Sequence, residues 1–224
     1  MHIGLIGGIG PAATDFYYKR IVRAFSQNAE HLELTMVHAD AATLLNNLAN
    51  DNHDDQLVIY QSLATRLVTA GANCVVVTSI AGHFCIAAFK EVSPLPVIDM
   101  IEKTNTAIKK MGIARIGILG TQTVMESKFY GGIENTEIVV PRDGLLQEVH
   151  KAYVEMATSG FATDEHRKVF LKACKSMDED DKAQAILLGG TDLALVFNEK
   201  STEHRFIDCA AIHCDAVINK ALKM

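Results

Sequence analysis

Four short runs of glycine and hydroxyl residues carry the strongest chemical signal in the sequence, and each follows directly on an apolar, β-like run. They comprise residues 7–11, 78–83, 120–123 and 189–192. Backbone N–H groups at such strand-to-helix turns favour a bound anion. In an open parallel sheet, ligands bind beyond the carboxyl ends of the strands. The four runs therefore predict one site for a small carboxylate.

The second run contains a hydroxyl side chain, Ser79, and an imidazole, His83. A serine hydroxyl is a weak acid and needs a neighbouring base to act in catalysis. His83 lies four residues further along and is the nearest such base in the sequence. Two places for its ring stay open: in the pocket, or in a structural hydrogen bond at a helix start.

Thr121, Thr191 and Asp192 belong to the last two runs. Each threonine could cap a helix, bind a carboxylate, or do both. Asp192 could hold a basic group, or it could favour a helix N-terminus through its charge. His213 lies on a predicted helix of apolar period, where a packed structural histidine and a functional one both fit.

Residues 7–13 allow three interpretations. Their Gly-x-Gly-x-x-Ala spacing, with Asp40 after the second predicted strand, fits a dinucleotide-binding loop, but a single fingerprint of this kind is weak. Pro11 suits the first position of a helix, because that position needs no N–H donor. A plain tight turn and a small-carboxylate loop are the other two, and we favour the carboxylate loop.

The bulk composition limits the class of partner. A net charge of -6 and an isoelectric point near 5.8 argue against a nucleic-acid surface, which needs clustered lysine and arginine. No apolar run approaches the roughly 20 residues that cross a bilayer. No secretory signal is seen, so a cytoplasmic protein is expected. Five cysteines without a Cys-x-x-Cys pair indicate reduced thiols. No metal is expected, because no spacing of His, Cys, Asp or Glu fits a metal site.

Apolar β-like runs alternate with helical runs, which predicts an α/β fold of βαβ units around parallel sheets. The predicted strands are residues 3–6, 34–37, 74–78, 97–98, 115–119, 137–140 and 185–188. The predicted helices are residues 12–26, 55–70, 84–92, 99–111, 145–158, 165–177 and 209–222. Gly71 and Gly112 are predicted helix stops. The acidic run 177–182 is expected to be a solvated loop.

Pro94 and Pro96 make the middle of the chain rigid, and a second series of strands begins at Arg115. We therefore expect two pseudo-symmetric lobes, each a parallel sheet flanked by helices, with the site in the cleft between them. The N-terminal lobe covers residues 1–97 and the C-terminal lobe residues 98–207. The final helix, 208–224, is expected to pack back on the first lobe.

Several of these stretches resemble motifs of the aspartate/glutamate racemase family, in the same order along the chain. Residues 4–14 with 16–17 are similar to its N-terminal signature, in which a Gly-Gly-Met-Gly-Pro turn lines the substrate pocket. Residues 78–83 are similar to its first thiol motif, Cys-Asn-Thr-x-His, and residues 188–192 to its second, Gly-Cys-Thr-Glu. Further matches are residues 117–121 with 129–130, and Asp208 with His213.

The resemblance implies an amino-acid racemase or isomerase that needs no pyridoxal phosphate or other cofactor, acts on a small dicarboxylic amino acid and forms a homodimer. In that family one thiolate removes the α-proton and a second thiol returns a proton from the far side. This sequence has Ser79 and Gly190 at the two thiol positions, with His83 near the first. The substrate-binding residues implied by the resemblance are Gly8, Ile9, Ile80, Ala81, Thr121 and Thr191.

The two replaced thiols leave alternatives to a two-base racemase. One is a family member that binds a small carboxylate without catalysis. Another is a related lyase or decarboxylase with one acid–base group. Cys85 could enter the site through a shifted register, or it could be a buried helix residue. Arg167 is the candidate for a distal carboxylate of the substrate.

Overall fold

Two four-stranded parallel sheets form the framework of the chain. The computed structural model describes residues 1–8, 10–197 and 204–223, and the chain divides into two compact units. Unit 1 consists of Met1–Met100 and Ala210–Met224, and unit 2 consists of Ile101–Cys209. The strands of each sheet pair in parallel, with helices along the connections, so the predicted α/β class is confirmed.

The first sheet belongs to unit 1. Its strands are β1 (His2–Gly7), β2 (Glu33–His38), β3 (Cys74–Val77) and β4 (Val97–Ile98), in the order β2-β1-β3-β4. The helices that accompany them are α1 (Pro11–Gln27), α2 (Ala41–Ala49), α3 (His53–Thr69) and α4 (Ile86–Val92). A short 3₁₀ helix, Ala81–His83, lies between β3 and α4.

The centre of this sheet is covered on both faces. Ile3, Leu5 and Ile6 are fully buried, and Leu5 is the register partner of Met36 in β2 and of Val76 in β3. A strand that is apolar at successive positions suits a parallel sheet, in which both faces are covered. Since β1 and β3 are neighbours, their carboxyl ends lie side by side, where two of the glycine and hydroxyl runs begin.

The second sheet belongs to unit 2. Its strands are β5 (Arg115–Leu119), β6 (Glu137–Val139), β7 (Ile186–Leu188) and β8 (Phe206–Asp208), in the order β6-β5-β7-β8. The helices are α5 (Met100–Met111), α6 (Gln122–Glu126), α7 (Leu145–Ser159) and α8 (Asp164–Glu179), and a second 3₁₀ helix, Thr191–Leu195, follows β7. The last helix, α9 (Cys209–Leu222), is part of unit 1 from Ala210 onward. The strand order therefore repeats that of the first sheet.

Most helix ends follow local signals in the sequence. α1 begins at Pro11, as predicted. Gly71 and Gly112 have φ angles of 89° and 65° just beyond α3 and α5, where a residue without a side chain accepts the left-handed conformation. Both predicted helix stops are thus confirmed.

Among the described strands and α-helices, three were not predicted: α2, α6 and β8. The Asp40 carboxylate begins α2 by accepting a hydrogen bond from the Thr43 N–H at 2.7 Å. α6 and β8 contain only five and three residues, which is too short for a periodic pattern to register. The predicted helix 84–92 starts later, at Ile86, because the 3₁₀ helix precedes it.

The predicted solvated loop at residues 177–182 is confirmed only in part. Residues 178–180 and Lys182 are exposed, but α8 continues to Glu179, and Asp181 is only 5% exposed. The Asp181 carboxylate accepts a hydrogen bond from the Arg142 guanidinium. The backbone carbonyl oxygen of Asp181 accepts another from Arg115 at 2.8 Å. A buried carboxylate needs such a partner, and a charge count along the sequence does not show it.

Candidate active site

The turn after β1 approaches its neighbours too closely for a side chain at Gly8. The φ angle of Gly8 is +103°, and a Cβ there would lie 2.5 Å from both the Ala39 carbonyl oxygen and the His38 ring. The Gly8 N–H donates to the Thr14 hydroxyl at 3.1 Å, and that hydroxyl is 3.3 Å from the Thr78 hydroxyl. Hydrogen bonds therefore join the ends of β1 and β3. Ile9 lies outside the described residues.

An open cavity of about 330 Å³ lies at the ends of β1 and β2 in unit 1. Its lining includes Thr14, Tyr18, Met36 and His38, and its volume suits a small ligand. Ser79 is not among the lining residues, so the cavity lies on the β2 side of the turn and the predicted proton-transfer residue on the β3 side.

Ser79 and His83 are joined through the backbone of Ser79. The His83 Nδ1–H donates to the Ser79 carbonyl oxygen at 2.8 Å, and His83 Nε2 accepts the Met100 N–H at 3.3 Å. Both ring nitrogens are thus engaged, which requires the neutral Nδ1–H form. Burial lowers the pKa of His83, and the carboxylate of Asp99 offsets this only in part. His83 therefore holds the turn in place, and it does not hydrogen-bond the Ser79 hydroxyl.

The rest of this turn is also buried. Ser79 is 4% exposed, Ile80 1% and Ala81 7%. Within the described part of the chain, no side chain hydrogen-bonds the Ser79 hydroxyl. A substrate atom would therefore not have to displace an existing partner of that hydroxyl.

His213 is packed within unit 1. Its Nε2–H donates to the Ile98 carbonyl oxygen at 2.7 Å, and its Nδ1 lies 2.8 Å from the Tyr17 hydroxyl. Its ring meets the His83 ring edge to face at 6.0 Å. These contacts favour the structural interpretation of His213 over the functional one.

In unit 2, the ends of β5 and β7 are close neighbours. A Cβ on Gly120 would lie 3.0 Å from the Gly189 carbonyl oxygen. Thr121 caps α6, because its hydroxyl accepts the Val124 N–H at 3.3 Å. Thr191 is 2% exposed, and its hydroxyl has no hydrogen-bond partner among the described residues. A buried hydroxyl without a partner is unfavourable, so this atom is suited to meet a ligand oxygen.

Gly190 has extended backbone angles, φ -126° and ψ 122°, which any residue can adopt. The reason for a glycine is Tyr153 on α7: a Cβ at position 190 would lie 2.7 Å from Tyr153 Cζ and closer still to Cε2. The Tyr153 hydroxyl donates to the Asp192 carboxylate at 3.2 Å, and both residues are buried. Burial, followed by the charge of Asp192, raises the pKa of Tyr153 well above its usual range.

The sequence did not single out Tyr153. It lies among buried apolar positions of α7, including Val149, Ala152 and Met156, where an aromatic residue is usually part of the core. The absence of a side chain at position 190 was visible in the sequence. Nothing in the sequence indicated which ring would fill the space.

Other candidates have structural partners. Arg167 donates to the Val196 carbonyl oxygen at 2.7 Å, so part of its guanidinium is already engaged. Asp40, the acidic residue of the dinucleotide interpretation, caps α2, and hydrogen bonds from Thr43 lower its pKa. Cys85 is buried, and burial raises the pKa of its thiol to about 12, which disfavours a reactive thiolate.

Within residues 1–8, 10–197 and 204–223, no cluster of three or more His, Cys, Asp or Glu side chains could hold a metal ion. No helix among the same residues has the length and apolar character needed to span a membrane.

Comparison with known proteins identifies the family. A sequence model of the Asp/Glu/hydantoin racemases matches residues 6–217, nearly the whole chain. A Yersinia pestis protein assigned to the Asp/Glu racemases superposes with a TM-score of 0.83 at 27% identity, covering 99% of this chain and 100% of that one. An aspartate racemase homologue from Pyrococcus horikoshii gives a TM-score of 0.82 at 24% identity, over 99% of each chain.

A more distant structure shares the fold. Glutamate racemase from Francisella tularensis, solved with D-glutamate, gives a TM-score of 0.66 at 16% identity, covering 99% of this chain and 81% of that one. Because the family match extends over nearly all of the sequence, the chain belongs to the Asp/Glu/hydantoin racemase family.

Proposed function

We propose that the protein is a cofactor-independent isomerase that moves the α-proton of a small amino acid, with aspartate and glutamate as the first substrates to test. One observation supports this most: the same strand end occurs in both sheets. Ser79 and Gly190 each lie two residues beyond the third strand in the order of their sheet, and a 3₁₀ helix follows each. Each unit thus offers one position for a group that acts on the substrate.

The reaction places two demands on these positions. An amino-acid α-proton is a very weak acid, so the carbanion must be stabilised by hydrogen-bond donors around the substrate carboxylate. A proton-transfer group must also lie beside the C–H bond. We propose Ala81, Thr121 and Thr191 as donors to the carboxylate, and Gly8, Ile9 and Ile80 as further substrate-binding residues. The unpartnered Thr191 hydroxyl is the best supported of the donors.

Ser79 is the proposed proton-transfer group of unit 1. Its hydroxyl has no partner among the described residues, whereas its carbonyl accepts hydrogen bonds from His83 at 2.8 Å and from the Gly82 N–H at 3.2 Å. In this proposal His83 positions the turn that presents Ser79. Assembly as a homodimer and a cytoplasmic location stay predictions.

A second candidate function is a carboxylate-binding protein without turnover, and a one-base lyase or decarboxylase is a third. The binder is favoured by one observation: His83 bonds the Ser79 carbonyl, so no described base activates the Ser79 hydroxyl. A serine hydroxyl without a base is a poor group for proton removal.

Hydrogen exchange separates these functions. The protein is incubated in D₂O with L- and D-aspartate and with L- and D-glutamate, and α-deuterium and optical inversion are followed by NMR and chiral chromatography. The proposed function predicts exchange with at least one of the four compounds. Ser79→Ala should slow inversion by about 100-fold, the lower range for acid–base groups. Ser26→Ala, on an exposed part of α1, is the matched control.

Thermal unfolding with the same compounds completes the experiment. Stabilisation without exchange would support the binder and overturn the isomerase, because a ligand stabilises the folded state whether or not it reacts. Carbon dioxide release or loss of a leaving group instead of inversion would support the lyase.

A further inference from the structure

The Tyr153 ring occupies the space into which a side chain at position 190 would extend. A Cβ on Gly190 would lie 2.7 Å from Tyr153 Cζ and 3.0 Å from Cδ2. Because the backbone of residue 190 is extended, another residue would fit there if the ring were absent. Gly190 and Tyr153 are therefore matched in volume: the Tyr153 ring on α7 occupies the space that a side chain at position 190 would need.

A phenylalanine would fill this space equally well, so packing does not explain the hydroxyl. That hydroxyl is 3.2 Å from the Asp192 carboxylate, and both side chains are buried. Burying a phenol beside a carboxylate is unfavourable unless they hydrogen-bond each other. The buried Thr191 hydroxyl, next to Asp192 in the chain, has no partner among the described residues. The Tyr153–Asp192 hydrogen bond is thus followed back along the chain, one residue before Asp192, by a buried hydroxyl that has no described partner.

We propose that Tyr153 is the acid–base group of unit 2 and that Asp192 accepts and returns its proton. This inference rests on the proposed function and extends it by naming the second proton-transfer group. The substrate class is an α-amino acid whose carboxylate reaches the Thr191 hydroxyl.

The proton transfer balances without any further reagent. The Cα–H bond of the substrate breaks, its proton forms a bond to Tyr153 Oη, and the proton already on Oη passes to the Asp192 carboxylate. The electron pair of the C–H bond stays on the substrate and spreads into its carboxylate. The return step reverses each transfer, so Tyr153 is a phenol and Asp192 a carboxylate again.

The Tyr153–Asp192 pair predicts unequal rates of α-proton exchange for the two enantiomers of the substrate. A serine alcohol is a much weaker proton donor than a phenol, so exchange through Tyr153 should outpace inversion, which also requires proton transfer by Ser79. In D₂O, one enantiomer should gain α-deuterium with retained configuration about 10-fold faster or more than it inverts.

The decisive variant is Tyr153→Phe, which keeps the ring under Gly190 and removes only the hydroxyl. Exchange with retained configuration should fall by about 100-fold or more for that enantiomer. Exchange of the opposite enantiomer should fall much less, whereas a general structural defect would slow both alike. Tyr130→Phe removes a phenol elsewhere in unit 2 and should leave both rates unchanged. Equal loss for both enantiomers, or no loss, overturns the proposal.

Three further variants test the relay independently of Tyr153→Phe. Asp192→Asn removes the proton acceptor and should slow exchange of the same enantiomer by about 10-fold or more; an unchanged rate in the folded variant overturns the relay. Tyr153→Ala with Gly190→Cys replaces the phenol by a thiol and should restore exchange of that enantiomer. Loss of exchange in Cys209→Ala, but not in Tyr153→Phe, would assign the role to a thiol and overturn the proposal.

The two proposals can fail separately. If the unaltered protein exchanges no α-proton of aspartate or glutamate, both the isomerase and the Tyr153 relay are overturned. If it exchanges and Tyr153→Phe exchanges equally fast, only the relay is overturned.

Discussion

The strand ends of β3 and β7 hold the same place in two sheets of the same strand order, yet different elements contact them. After β3, the contact is local: the His83 ring hydrogen-bonds the Ser79 carbonyl, four residues earlier. After β7, the contact comes from α7: the Tyr153 ring packs against Gly190, which lies 37 residues later in the chain. The repeated topology places the two strand ends at equivalent positions, but it does not determine which element of each unit packs against them.

The two contacting side chains also differ in the charge of their partners. His83 bonds two backbone groups and is neutral, whereas Tyr153 donates directly to a carboxylate. A neutral ring held by the backbone fixes a turn. A phenol on a carboxylate has somewhere to send a proton. The β3 end is therefore held by hydrogen bonds to the backbone, and in our proposal the β7 end supplies the acid–base pair.

The largest expected effect tests the match between Gly190 and Tyr153. Gly190→Ala should lower the free energy of unfolding by about 2–3 kcal/mol through overpacking. Tyr153→Ala should lower it by about 3–5 kcal/mol through the cavity that it leaves. The double variant should be about 2 kcal/mol more stable than the sum of these losses predicts, because the ring is no longer there to collide. Urea unfolding of all four proteins measures the coupling.

The control for this cycle is Phe170→Ala, another buried aromatic residue of unit 2. Combined with Gly190→Ala, it should be additive within about 0.5 kcal/mol. Additivity in the Tyr153 cycle as well would mean that the Tyr153 ring adjusts freely and does not exclude a side chain at position 190.

The next effect concerns the His83 hydrogen bonds that hold the turn after β3. His83→Leu should lower the free energy of unfolding by about 3 kcal/mol, because the Ser79 carbonyl and the Met100 N–H would both be buried without this partner. His31→Leu, at an exposed position, should change it by less than about 0.5 kcal/mol. A loss below 1 kcal/mol for His83→Leu would show that the ring does not hold the turn.

The two ends should lose stability at opposite extremes of pH. Burial lowers the pKa of His83, so below about pH 6.5 the unfolded chain binds a proton that the folded chain does not, and stability falls by up to about 1.4 kcal/mol per pH unit. Burial raises the pKa of Tyr153, so its contribution is complete below about pH 10 and is lost above it. Denaturant midpoints from pH 5 to 8 should show a smaller acid-side slope in His83→Leu than in the unaltered protein. An equal slope would remove His83 as the cause.

The smallest effect compares two threonines. Thr78→Val should cost about 1 kcal/mol, because the Thr78 hydroxyl lies 3.3 Å from both the Ile6 carbonyl and the Thr14 hydroxyl. Thr191→Val should be neutral or stabilising by up to about 1 kcal/mol, since its hydroxyl has no described partner to lose. The same variant should weaken stabilisation by a bound amino acid. Equal losses in the two variants would place a hidden partner at Thr191.

Sequence reasoning reached most of the fold because its signals are local. Buried parallel strands are apolar at every position, as in β1, and helix ends are marked by Pro11, Gly71 and Gly112. It missed elements of three to nine residues, β8, α6 and α2, where a period has little room to repeat.

For the site, the strand-end runs were visible but their partners were not. Thr121 as a helix cap and the buried turn at Ser79 follow from neighbouring residues. The pairing of Gly190 with Tyr153 joins residues far apart in the chain. Likewise, the burial of Asp181 depends on Arg142, from another part of unit 2. Such contacts are set by tertiary packing, which the order of residue types along a chain does not encode directly.

All five cysteines are buried, and burial raises the pKa of Cys85 and Cys174 to about 12. At neutral pH, roughly one such thiol in 10⁵ is ionised, and peroxides and alkylating agents attack the ionised form. Positions 79 and 190 hold an alcohol and a bare backbone, so neither offers sulfur to an oxidant. Chemistry carried by an alcohol and a phenol would continue under oxidative stress that inactivates an enzyme with a thiol nucleophile.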